Sequence, residues 1–154
     1  MSKGKPVKNY DEIHIATPVQ KVFNYVSRPD LWHEWHPAST SAELPRVPLQ
    51  AGDNFREIIT VSYPLVKIRR HTAYKVTESK PSVLWEVQGE SSLFNLTIHY
   101  EFMAEGQGTL FQRTLTYAVK GPLAWFEPIL VRPKIRRQSA LALRNLKAKL
   151  EGMQ

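Results

Sequence analysis

From residue 55 to residue 119 apolar and polar side chains alternate with a period of two, run after run, and this narrows the fold more than any other feature of the chain. Phe55, Glu57, Ile59, Val61 and Tyr63 share one face of the first run, and Val66, Ile68, Arg70, Thr72, Tyr74 and Val76 share one face of the second. After Pro81 a third run puts Val83, Trp85 and Val87 together. A fourth sets Leu96, Ile98, Tyr100 and Phe102 against Thr97, His99 and Glu101. The last sets Phe111, Arg113, Leu115, Tyr117 and Val119 against Gln112, Thr114, Thr116 and Ala118. The connections are short, and Glu105-Gly106-Gln107-Gly108 has the composition of a hairpin turn. Period-two runs joined this way describe an antiparallel sheet with one packed face and one wet face.

The flanks add helices. Residues 7–16 end in alternation, with Ile13 and Ile15 on one face and His14 on the other, and read as a further strand. Thr17-Pro18 supplies an N-cap and a proline for the first helical position, and Val19, Val22, Phe23 and Val26 follow at helical spacing. Pro29 stops that helix near Ser27, and Asp30 to Trp35 forms a second short helix ended by Pro37. Residues 38–50, with Pro45 and Pro48, read as a loop. Residues 121–133 are apolar but broken by three prolines. From Lys134 to Glu151, Ile135, Ser139, Ala142, Leu143, Leu146 and Leu150 form one helical stripe. The expected order is strand, two helices, five hairpin-linked strands and a long terminal helix in one α+β domain spanning residues 1–154, with residues 1–6 as a flexible tail.

At 154 residues the chain can bury a sizeable core, and 42% apolar with 23% charged residues is ordinary globular usage. Cysteine is absent, which excludes disulfides, thiolate metal sites and cysteine nucleophiles. No signal-like apolar run opens the chain, and no stretch has the length of a spanning helix, so a cytoplasmic location is expected.

The strand ending Ile13 to Pro18 (IHIATP), the segment Val22 to Pro37 (VFNYVSRPDLWHEWHP), Gly52 with Phe55 and Glu57, Gly108-Thr109, and Leu146 to Glu151 (LKAKLE) stand in an order and spacing that resembles the START/Bet v 1-like superfamily, in particular its polyketide cyclase/dehydrase and lipid-transport branch. The resemblance covers roughly residues 8–151. It implies a helix-grip fold, in which a curved antiparallel sheet, here of six strands, wraps the C-terminal helix around a ligand cavity. It implies no single chemistry, because members include carriers, cyclases and receptors.

Three charges interrupt otherwise apolar strand faces: Glu57, Arg70 and Arg113. If those faces look inward, each charge sits at the cavity wall, where it must be paired or hydrogen-bonded. They form a structural ion pair, or an Arg reaches the rim with its stem packed, or they bind a polar ligand group and move protons, and in the last case they are the candidate catalytic residues. The inward aromatics Phe55, Tyr74, Trp85, Tyr100, Phe102, Phe111 and Tyr117 are core, pocket wall or both. Trp125 and Phe126, in the proline-broken segment, are candidates for a lid or for a clasp closing one end. Trp35 anchors its short helix as the corresponding tryptophan of the family does, and His36 is placed near the cavity mouth.

His33, Glu34 and His36 fall one residue short of the zinc-protease spacing, so no metal is expected, and no motif implies a cofactor. His99 and His71 share faces with charged residues and point outward. No nucleophile elbow, phosphate loop or dinucleotide fingerprint appears. The net charge of +7 is local, because Arg132, Lys134, Arg136, Arg137, Arg144, Lys147 and Lys149 account for a surplus of seven between residues 132 and 149. No recognition motif accompanies it, so nucleic acid is not expected as a partner. Beside Trp125, Phe126, Ile129 and Leu130 it suits transient contact with an anionic membrane. The leading expectation is a protein that binds, and in binding carries, a hydrophobic small molecule such as a lipid, quinone, sterol-like or polyketide compound. The rivals are a polyketide cyclase or dehydratase-like enzyme and a membrane- or protein-docking module.

Overall fold

The structure, a computed structural model, describes residues 4–153. The alternating region forms five strands: β3 (Asn54–Tyr63), β4 (Val66–Lys80), β5 (Leu84–Glu90), β6 (Phe94–Glu105) and β7 (Gly108–Val119). Before them come β1 (Val7–Ile15), α1 (Val19–Val26), a 3-10 turn (Pro29–Glu34) and β2 (Ser39–Glu43). After them a 3-10 turn (Gly121–Phe126) and a π turn (Glu127–Val131) lead into α2 (Arg132–Gly152). The strands form one seven-stranded sheet in the order β1-β7-β6-β5-β4-β3-β2, antiparallel throughout.

The sheet thus has one strand more than the six expected. The extra strand is β2, which lies in the stretch read as a loop. Its sequence STSAE carries a single apolar residue, Ala42, so no hydrophobic alternation marks it. It forms by pairing along β3, with an irregularity between Ser39 and Ser41. Pro18 is the N-cap of α1, one residue later than expected. The Thr17 carbonyl instead accepts the Thr109 hydroxyl at 2.8 Å. Of the expected N-terminal tail, residues 1–3 lie outside the described residues, and the Gly4 N–H is tied to the Val119 carbonyl at 2.8 Å.

The helices divide the concave face of the sheet into a filled part and an open part. α1 buries Val22, Phe23, Tyr25 and Val26. In the 3-10 turn that follows, the Trp32 ring stands edge-on to Phe55, Tyr74 and Trp85, with centroids 5.9 to 6.0 Å apart. Phe23 meets Phe102 in the same manner at 5.2 Å. The α2 stripe places Ser139, Ala142, Leu143, Leu146 and Leu150 in the interior as its spacing predicts. Each fully buried Leu or Phe of this kind contributes about 1.5–3 kcal/mol. Asn145 of α2 fastens the turn by donating to the Trp35 carbonyl at 3.1 Å.

The proline-broken segment is held from inside by Glu127. It accepts the Tyr117 hydroxyl at 2.7 Å and the Arg132 guanidinium at 2.6 and 3.1 Å. On the outer face, His99 lies between Glu86 at 3.1 Å and Glu101 at 3.3 Å, and His71 is exposed, as the alternation requires.

Candidate functional site

Under the N-terminal half of α2 the concave face remains open, and a cavity of about 120 Å³ lies there. Ile59 and Val61 of β3, Leu96 and Ile98 of β6, Leu115 of β7 and Ile135 of α2 supply apolar wall. His36, Ser39, Glu57, Tyr74, Tyr100, Arg113 and Ser139 supply the polar part. Packed apolar wall with a few placed polar groups is the usual form of a small-ligand site, although such sites commonly hold about 300–1,000 Å³. As closed, this one suits a body of about one small ring.

Glu57 is 2% exposed. Its carboxylate accepts the hydroxyls of Ser39 and, at 3.0 Å, of Tyr74. Burial pushes its pKa from 4.5 up to about 7, against the two hydrogen bonds and the field of Arg113. The Tyr74 hydroxyl is pushed well above its ordinary range by burial and by Glu57. Gly89 of β5 makes this contact possible. A Cβ at Gly89 would lie 2.5 Å from the Tyr74 ring, so only glycine lets that ring lie over β5.

Arg113 is 3% exposed. Its Nη1 donates to the Ser139 hydroxyl at 3.0 Å, while its Nε is buried without a hydrogen-bond partner. Tyr100 stands opposite it on β6, and the Tyr100 hydroxyl is raised to about 12 by burial although the guanidinium beside it pulls downward. His36 Nδ1 accepts the Ala38 N–H at 3.1 Å. Burial and the Arg113 charge hold His36 neutral, down at about 3. The nearby Trp35 Nε1 is also buried and unpartnered.

Of the residues singled out by the sequence, Glu57, Arg113, Tyr74, Tyr100 and Tyr117 line the cavity. Phe55, Trp85, Phe102 and Phe111 face inward as expected but do not line it. They lie where α1, the Trp32 turn and the C-terminal half of α2 fill the concavity, and they form packed core. Arg70 shares its face with Thr72 and Tyr74, yet it is exposed and donates to the Arg69 carbonyl at 2.9 Å. Arg70 pairs with Ile59, which lines the cavity, yet its own side chain reaches solvent, so inward parity alone does not bring it to the cavity. Neither Trp125 nor Phe126 covers the cavity; Trp125 is 84% exposed.

Ser39, Trp35 and Ser139 also line the cavity, where no pattern in the sequence puts them. Ser39 lies in the strand without alternation, and the other two were legible only as buried positions. Among the described residues no group of three or more His, Asp or Glu is placed to hold a metal ion.

Next to Val61 and Ile135 the molecule ends in two exposed apolar stretches. The Tyr63 hydroxyl donates to the Leu130 carbonyl at 3.3 Å, and Lys134 donates to the Ser62 carbonyl at 2.7 Å, which joins the β3–β4 hairpin to the segment before α2. Leu65 is 99% exposed, and Val66, Trp125, Phe126, Ile129 and Leu130 are exposed with it. Lys67, Arg69 and Arg70 of β4 and Arg136 and Arg137 in the first turns of α2 are exposed beside them. Among the described residues no helix is long and apolar enough to cross a membrane.

Solved structures share this architecture at low identity. A conserved protein from Geobacillus kaustophilus superposes with a TM-score of 0.75 at 15% identity, covering 94% of this chain and 95% of its own. A START superfamily protein from Mycobacterium smegmatis gives 0.68 at 15% identity, with 95% of each chain covered. The Zhui aromatase/cyclase from Streptomyces sp. R1128 gives 0.73 at 9% identity, covering 96% of this chain and 94% of its own. These likenesses concern the fold alone. No curated protein sequence matches the chain. The family described as polyketide cyclase / dehydrase and lipid transport matches residues 6–151, so a seven-stranded sheet gripping its terminal helix over a partly polar cavity is here the fold of a member of that family.

Proposed function

We propose that this chain, acting as one START-like domain in the cytoplasm, binds a hydrophobic small molecule in the cavity beneath α2. The observation that carries this reading is the cavity itself, whose apolar wall surrounds buried polar groups left without partners. A cavity kept only for packing gains nothing from orphaned donors, which cost stability until something accepts from them. Native mass spectrometry of protein purified without detergent tests it. The expected spectrum shows a small organic mass that leaves on denaturation. A ligand-free spectrum that stays unchanged after incubation with hydrophobic probes overturns the reading.

Transport is favoured by the exposed apolar and basic end beside the cavity. Six large apolar side chains and five cations there suit an anionic lipid surface, since apolar insertion and charge attraction add. Vesicles containing phosphatidylserine should bind the protein more tightly than pure phosphatidylcholine. Added salt and the pair Arg136→Glu/Arg137→Glu should remove the difference. Equal binding to both vesicle types removes this part of the proposal.

A cyclase- or dehydratase-like activity is favoured by one observation, a carboxyl with a pKa of about 7 in a cavity that also holds a cation and a neutral imidazole. Such a group takes and returns a proton near neutral pH. With a true substrate in hand, Glu57→Gln should abolish turnover while leaving binding intact; unchanged turnover assigns Glu57 a structural role.

A further inference from the structure

We propose that the ligand of this cavity is an organic monoanion, with a carboxylate head seated on Arg113 and a small apolar body against Ile59, Val61, Leu96, Leu115 and Ile135. This deepens the binding reading above and rests on it.

A guanidinium presents five N–H donors in a planar fork and accepts nothing. Arg113 spends one on Ser139, holds Tyr100 beside it, and keeps its Nε buried without a partner. Among the described residues no carboxylate oxygen stands within 4.0 Å of it. Glu57 is engaged by Ser39 and Tyr74. Asp11 faces Arg113 across the β1–β7 pairing, but its carboxylate is held by Asn9 Nδ2 at 2.8 Å.

Two further donors surround the same space. Trp35 Nε1 has no partner, and the His36 ring proton sits on Nε2, because Nδ1 accepts from Ala38. The buried polar atoms of the cavity wall left without a partner, Arg113 Nε and Trp35 Nε1, are both donors, so the missing component is an acceptor, and the guanidinium favours one carrying negative charge. A carboxylate fits the fork with two oxygens, and such charge-assisted bonds are roughly twice as strong as neutral ones. A phosphate dianion would meet one cation with the Glu57 carboxyl close by, and its tetrahedral head fills space that the cavity of about 120 Å³ does not offer beside an apolar body.

Isothermal titration calorimetry with matched probes at neutral pH tests this. Benzoate and hexanoate are compared with benzamide and hexanamide, which have the same shape without charge. The acids should bind wild type at least about tenfold more tightly than the amides, a difference of about 1.4 kcal/mol. Arg113→Gln should bring acid and amide together while the amides still bind. The wild-type ratio stands alone should that variant not fold. Equal affinity for acids and amides overturns the head-group assignment and leaves the cavity reading standing. A ratio that survives Arg113→Gln places the head elsewhere and also overturns the assignment. Failure of all four probes to bind overturns both.

Discussion

Glu57→Gln should raise the stability of the protein at pH 8 and leave it nearly unchanged at pH 4. In the native state burial lifts the Glu57 pKa from 4.5 to about 7. Between those values the folded protein holds a proton that the unfolded chain has released. The Glu57 contribution is therefore complete below about 4.5 and is lost as pH rises from there through about 7. At about 1.4 kcal/mol for each pH decade, the loss comes to about 3 kcal/mol. Glutamine keeps the shape without ionising, its Oε1 accepting one of the two hydroxyls and its Nε2 donating to the oxygen of the other, so the variant escapes the loss.

His36 works in the opposite sense. Its native pKa lies at about 3 against an ordinary 6.5, so the fold requires the neutral ring. Its contribution is present above 6.5 and lost as pH falls toward 3. Between about pH 5 and 6.5 the two slopes are similar and opposed, and wild type should be nearly flat there. Urea unfolding followed by circular dichroism from pH 4 to 8.5 resolves this for wild type, Glu57→Gln and His36→Gln. The Glu57→Gln difference from wild type should grow from near zero to about 3 kcal/mol, with its midpoint near pH 6, and His36→Gln should make stability fall with rising pH between 5 and 6.5. A Glu57→Gln difference that does not change with pH refutes the claim that Glu57 is held protonated by burial.

Leu146→Ala empties a fully buried site on the α2 stripe and should cost about 2–5 kcal/mol in chemical denaturation; a loss below about 1 kcal/mol contradicts the grip of sheet on helix. Gly89→Ala drives a methyl into the Tyr74 ring and should cost about 1–3 kcal/mol, whereas an unchanged midpoint means that the ring is not held over β5. Trp125→Ser with Phe126→Ser should shift stability by no more than about 0.5 kcal/mol for each site, since both side chains face solvent. A larger loss assigns them the role of an end clasp.

Six strands, β1 among them, and the α2 stripe were legible because burial on one face imposes a period on the sequence, and Ile15, Trp85, Ile98 and Leu146 obey it. β2 was not legible, because Ser39–Glu43 sits on an edge and owes its place to pairing with β3 rather than to an apolar face. Parity says which way a side chain points and nothing about what lies above it. Arg70 and Arg113 carry the same signal, yet one meets solvent and the other lies under α2 beside Ser139. The same limit separates Phe55, Trp85, Phe102 and Phe111, which helices cover, from Tyr74, Tyr100 and Tyr117, which line open space. His36 lines the cavity near whose mouth the sequence puts it, and the Ala38 N–H bonded to its Nδ1 orients the ring, which no residue pattern encodes.

Everything proposed for this protein depends on the space beneath α2 receiving a hydrophobic ligand. Methyl-resolved carbon–proton NMR on addition of hexanoate tests it most directly. Saturable shifts are expected at the methyls of Ile59, Val61, Leu96, Ile98, Leu115 and Ile135, with Val22 and Leu150 in the packed part unmoved. Shifts confined to surface methyls such as Leu65, or absent altogether, contradict it.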